Sequence, residues 1–144
     1  MTKHYFKLAI DWTGGRNGIG QLATQNLNTS VSIPKEMDGP NVGTNPDEML
    51  LGAAATCYII TLAAMLERSD IKAKLNVESN ATVDVTNGVF TYEKIVHHVT
   101  INMDKTNEKA MYKAERYAIK AEQTCMISKA LKGNVQIDVQ VTFK

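Results

Sequence analysis

Asn45-Pro46-Asp47-Glu48-Met49-Leu50-Leu51-Gly52-Ala53-Ala54-Ala55-Thr56-Cys57 opens a stretch that carries no charge from Met49 to Leu66. Its start has the grammar of a helix. Asn45 suits the N-cap and Pro46 the first helical position. Asp47 and Glu48 fall in the first turn, where the helix dipole favours anions. The spacing predicts a helix that runs to about Arg68. A rise of ~1.5 Å per residue would carry the uncharged part across roughly 27 Å, the lower limit for a membrane span. Its content argues against lipid: Gly52, Ala53, Ala54, Ala55, Thr56, Cys57 and Thr61 are small or weakly apolar, and Asp47, Glu48, Glu67 and Arg68 abut it. A helix apolar all round is also the buried centre of a soluble fold, and that is the expectation here, with no membrane partner. One sheet cannot cover every side of such a helix. A second copy of the chain can, so a homodimer with this helix at its centre is expected.

Outward from the helix, the chain alternates. Phe6, Leu8, Ile10 and Trp12 mark a first strand, followed by the turn Thr13-Gly14-Gly15-Arg16-Asn17-Gly18, dense in residues that tolerate positive φ. Ile19 to Ile33 alternates weakly, as one or two strands. Pro34 to Gly43 reads as a loop. After the helix, Leu75, Val77, Ala81, Val83 and Val85 share a strand face, Asn87-Gly88 signals a tight hairpin, and Ile95, His97, Val99, Ile101 and Met103 share the face of the return strand. Ala110, Met111, Ala114, Tyr117, Ala118 and Ala121 give a second helix over about Asn107 to Glu122. A short helical turn, Met126 to Leu131, ends at Gly133. Val135, Ile137, Val139, Val141 and Phe143 form the last strand. The expected fold is α+β, a mostly antiparallel sheet with two main helices, in one domain over 1–144.

The bulk properties exclude several classes. A net charge of +1 gives no basic footprint for nucleic acid. The N-terminal residues contain no apolar run long enough for a signal peptide, so the cytoplasm is the expected compartment. Two cysteines are too few for a disulfide scaffold, and a reducing compartment would not keep one. They are either inert core residues or redox groups. No Cys-x-x-Cys is present, and His97 and His98 point to opposite faces of one strand, so neither a metal nor a cofactor site is expected.

Cys57 lies within the apolar helix and Cys125 lies 68 positions later. An apolar setting raises a thiol's pKa, so a reactive Cys57 needs a cation nearby. The chain has three arginines, Arg16, Arg68 and Arg116. Arg68 and Arg116 read as helix-surface charges. Arg16, in its glycine-rich turn, is a solvated turn residue or one brought against another element. Asp47 and Glu48 precede Cys57 by roughly 13–15 Å of helical rise, so neither touches its own Cys57. They cap the helix, or one subunit's first turn meets the other's thiol. His97 is expected to be a satisfied core histidine.

Taken together, Gly43 to Cys57, the second cysteine in Glu122-Gln123-Thr124-Cys125-Met126-Ile127-Ser128, and Thr13-Gly14-Gly15-Arg16 resemble the OsmC/Ohr family, the osmotically induced and organic hydroperoxide resistance proteins. The likeness covers nearly the whole chain, including the element order. It implies an intertwined homodimer with active sites at the interface. It implies that Cys57 attacks the peroxide O–O bond and becomes a sulfenic acid, which Cys125 condenses to a disulfide. By the same resemblance Arg16 stabilises the thiolate and orients the peroxide, and an acid holds the arginine. That acid is Asp47, where Ohr proteins carry a glutamate, or Glu48, where other branches carry theirs. The departure at Asp47 points to an OsmC-like branch. A dithiol, dihydrolipoyl in Ohr-type enzymes, is the implied reductant. The competing expectation is an OsmC-fold binding or structural module with unreactive thiols.

Overall fold

A computed structural model describes residues 1–144, and the chain divides into two compact units, Met1–Met49 and Leu50–Lys144. In the first unit, β1 (Ala9–Thr13), β2 (Ile19–Ala23) and β3 (Asn28–Val31) form an antiparallel sheet in that order. The weakly alternating segment is thus two strands. β1 starts later than the alternation of Phe6 and Leu8 suggests. The reason lies in its partner: Ala9 pairs with Ala23, and the chain then turns, Thr24 N–H donating to Leu27 O at 2.7 Å. Phe6 and Leu8 have no strand to pair with and are exposed. Trp12 pairs with Gly20 across the strands, and its indole N–H donates to the carbonyls of Gly14 and Gly15, both at 3.1 Å.

The Pro34 to Gly43 loop contains a 3-10 turn, Lys35–Met37, and closes on itself through Ser32, whose hydroxyl donates to Val42 O at 2.8 Å and accepts from Val42 N–H at 2.7 Å. Gly43 is required here: φ is +69°, and a Cβ would run into the Ser30 carbonyl.

α1 (Pro46–Arg68) begins where the sequence places it. Asn45 Oδ1 accepts from Glu48 N–H at 2.9 Å, an N-cap bond to the third helical residue. In the second unit, β4 (Lys74–Thr86) and β5 (Val89–Asn102) form a long hairpin. Asn87 and Gly88 both take positive φ, 52° and 73°, as a tight primed turn demands. The register shifts once, between Thr82 and Val83. α2 (Glu108–Thr124) is capped by Asn107, whose Oδ1 accepts from Ala110 N–H at 3.1 Å. α3 (Met126–Leu131) follows, and Gly133 then turns the chain at a φ of 91°.

The pairing is mostly antiparallel, as expected, and β6 (Gln136–Phe143) is the exception. It runs parallel to β5, with Ile95 opposite Ile137, in a sheet ordered β4-β5-β6. Alternation has the same period of two in either direction, so it does not distinguish them. The crossover through α2 and α3 does, because it returns the chain to the starting end of the sheet.

The core of this unit joins α1, α2 and β5. α1 contributes Ala54, Tyr58, Leu62 and Leu66, α2 contributes Ala114, Ala118 and Ala121, and β5 contributes Ile95, His97, Val99 and Ile101, all buried. The α1 residues repeat every four positions, so they form one stripe. The single chain thus leaves one side of α1 uncovered, as expected of a helix apolar all round that one sheet cannot enclose. Gly52, Thr56, Ile60 and Ala63 are exposed, Ile60 at 62%. The small α2 residues let Tyr58 reach through to the α2 backbone, its hydroxyl donating to Ala118 O at 2.8 Å.

His97 is a core residue but not a satisfied one. Its Nδ1 is 2.6 Å from Ser79 Oγ and its ring stacks on Tyr58 with centroids 4.9 Å apart, while Nε2 has no hydrogen-bond partner. Burial pushes the His97 pKa below its ordinary value. The unfolded chain therefore takes up this proton below about pH 6.5 before the native state does. Stability is expected to fall as pH drops from there through the lowered native pKa, and the loss stops once both states are protonated. Urea unfolding at pH 7 and pH 5 checks this. The acid loss should be smaller in His97→Phe than in the parent chain.

Candidate active site

Cys57 lies on α1 beside the buried Tyr58, on the flank of the stripe, and is half-buried. Cys125 sits between two helices. Its φ of −58° and ψ of 130° leave the helical region, ending α2 and starting α3. Its N–H still donates to Ala121 O at 2.9 Å and its carbonyl accepts from Lys129 N–H at 3.0 Å, so the residue is clamped from both sides. This break aims the buried Cys125 thiol at Cys57, and the two free thiols are within hydrogen-bonding reach of each other.

The two sulfurs have opposite electrostatics. Burial pushes the Cys57 thiol up, but hydrogen bonds outweigh it, first from the Cys125 thiol and then from the backbone N–H groups of Ile127 and Met126. The result lies below the ordinary value. The Thr61 hydroxyl donates to the Cys57 carbonyl at 2.7 Å. Cys125 lies above its ordinary value, raised by burial and by Cys57, with partial relief from Ser128 and Ile127 at the start of α3. Cys57 is the more readily ionised of the pair, and Cys125 is the one held toward the protonated form.

Within this unit, no cation is among the groups that lower Cys57. Neutral donors, two of them main-chain N–H groups at the start of α3, supply the stabilisation. The signal was in the sequence: a cysteine directly before a short helix faces that helix's unbonded N–H groups. Reading Cys125 only as a second sulfur missed it. Also missed was Glu122, three residues before Cys125, whose carboxyl is raised above its ordinary range, by burial first and then by Asp138, against the pull of Lys132.

The other three candidates belong to the first unit. Arg16 donates through Nη2 to Met37 O at 2.6 Å, and through Nη1 to Asp38 O at 3.2 Å and Asn17 Oδ1 at 2.8 Å. It ties the turn after β1 to the 3-10 turn while remaining exposed. Glu48 is exposed, and its Oε1 accepts from the Thr44 hydroxyl at 2.9 Å. Asp47 is half-buried in the first turn of α1.

A family model described as OsmC-like protein matches residues 38–140. YmaD of Bacillus subtilis, itself uncharacterised, is 53% identical over 147 residues, spanning 100% of this chain and 97% of its own. An organic hydroperoxide resistance protein of Xanthomonas axonopodis is 28% identical over 134 residues, 91% of this chain and 89% of its own. Among solved structures, an organic hydroperoxide resistance protein from Elizabethkingia anophelis superposes with a TM-score of 0.77 at 25% identity, covering 99% of this chain and 100% of that one.

Proposed function

This chain belongs to the OsmC/Ohr family, and on that footing we propose that it is a thiol-dependent peroxidase that reduces organic hydroperoxides to alcohols. The observation that carries the reading is the unequal thiol pair, with Cys57 held toward the thiolate by Cys125 and the N–H groups of Met126 and Ile127. A thiolate is the form that attacks peroxide. In the proposed cycle the Cys57 sulfur takes the terminal peroxide oxygen, the O–O bond breaks, and the departing alkoxide is protonated to the alcohol. Cys57 becomes a sulfenic acid. Cys125 attacks it, water leaves, and a disulfide forms. A dithiol reductant of the dihydrolipoyl type then opens the disulfide and is itself oxidised.

Arg16 orients the peroxide in this reading, with Asp47 or Glu48 holding the arginine. These roles rest on the family resemblance. The uncovered apolar side of α1, with Ile60 at its middle, supports a homodimer as the working form. The cytoplasm is the proposed compartment.

Mass spectrometry after one equivalent of cumene hydroperoxide tests the chemistry. The expected product has lost two hydrogens and yields a peptide linking Cys57 to Cys125. Two free thiols would overturn the peroxidase reading and favour a binding or structural module. Iodoacetamide at neutral pH tests the inequality separately. Cys57 should be alkylated well before Cys125, and its rate should fall with acid through a midpoint below the ~8.5 of a free thiol.

A further inference from the structure

We propose that Ser128 is a working member of this site, its hydroxyl donating to the Cys125 sulfur as that sulfur attacks the Cys57 sulfenic acid. The proposal rests on the peroxidase reading and adds a residue to it. Ser128 lies in the first turn of α3, three residues beyond Cys125, and is 4% exposed. Its Oγ has no hydrogen-bond partner, sulfur included. A buried hydroxyl left without a partner is costly, so the side chain there calls for a reason. The group within its reach is the Cys125 thiol.

The resolving step explains what the hydroxyl is for. Cys125 S–H gives up its proton, its sulfur bonds to the Cys57 sulfur, and the Cys57 S–O bond breaks. The leaving hydroxide takes a proton and departs as water. No other oxidant or reductant is needed. The difficulty is Cys125, 1% exposed and held toward the protonated form by burial and by its neighbour Cys57. An anionic sulfur at this place needs donors, and a hydrogen bond to a charged group is stronger than one between neutral groups. The Ser128 main-chain N–H and its unengaged hydroxyl can supply two donors from one residue once the sulfur is anionic. Cys57 draws instead on the Cys125 thiol and on the main-chain N–H groups of Ile127 and Met126. Ser128 therefore acts directly on the second step alone.

Ser128→Ala separates the two steps. Reduced protein is mixed with one equivalent of cumene hydroperoxide, quenched at intervals with dimedone and analysed by mass spectrometry. The variant is expected to form the Cys57 sulfenic acid at the parent rate and the disulfide about tenfold more slowly, the scale of one lost bond to a charged sulfur, so the dimedone adduct accumulates. A second readout needs no peroxide: in a Cys57→Ser background, the midpoint for alkylation of Cys125 should move to higher pH when Ser128 becomes alanine. A purely structural role would not move that midpoint. Disulfide formation at the parent rate in Ser128→Ala, or an unmoved midpoint, overturns the proposal and leaves the peroxidase reading standing. Absence of any oxidation in the parent chain overturns both.

Discussion

Cys57→Ser is expected to bring organic hydroperoxide consumption down to the uncatalysed background, a loss of more than about 10³-fold, the scale on which removing a covalent nucleophile is felt. The argument runs through ionisation. The donors around position 57 shift a thiol toward its anion. A serine hydroxyl in the same place stays protonated and is a poor attacker of an O–O bond. The substitution is nearly isosteric and position 57 is only half-buried, so the fold should survive, and an unchanged unfolding midpoint would show it. Cys125→Ser should behave differently. It keeps the nucleophile, so one equivalent of peroxide is still consumed quickly, and the sulfenic acid then persists or overoxidises. If Cys57→Ser consumes peroxide at the parent rate, the proposed chemistry is wrong.

The largest expected loss of stability is at Tyr58. Tyr58→Ala should cost about 3–5 kcal/mol, the range for removing a buried aromatic side chain, and Tyr58→Phe only about 1 kcal/mol for the single hydrogen bond. Tyr58 is fully buried where α1, α2 and β5 meet. Its ring stacks on His97 and its hydroxyl ends on Ala118 O. Burial, and then the charge of Glu122, keep that hydroxyl protonated far above its ordinary range. Truncation would therefore open a cavity between three elements and strip the stacking partner from His97. Urea denaturation of the two variants measures the difference, and equal losses would mean that the ring contributes little beyond its hydroxyl.

Much of this was legible because local grammar and tertiary context agree. Asn45 and Pro46 start α1 where the sequence places them, and Asn87-Gly88 turns the hairpin where it should. The direction of β6 was not legible, since the alternation of Val135 to Phe143 is the same beside a parallel or an antiparallel neighbour. The start of β1 was hidden too, because it depends on where β2 runs out of partner residues. The exposed side of α1 was foreseen, since one sheet cannot cover a helix apolar all round; which stripe the chain covers for itself, from Ala54 through Tyr58 to Leu66, was not legible.

At the site, the meeting of Cys57 and Cys125 could not be derived from spacing. It depends on a helix break at Cys125 and on the packing of α2 against the rest of the second unit. Arg16 was singled out from its glycine-rich turn, but its carbonyl partners at Met37 and Asp38 lie 21 and 22 residues away and leave no local trace. His97 was placed correctly in the core, and its unpartnered Nε2 was invisible to any pattern of polar and apolar residues.

The helix break at Cys125 has a thermodynamic side as well. A bond between positions 57 and 125 would close a covalent ring around most of α1, the whole β4–β5 hairpin and α2. In the chain-entropy account, tying a loop of about 70 residues removes roughly 4 kcal/mol of freedom from the unfolded ensemble. Each turnover would then alternate between an open chain and a cyclised one. The resting, reduced molecule would be the more easily melted and digested of the two, and exposure to peroxide would toughen it for as long as the reductant stays away.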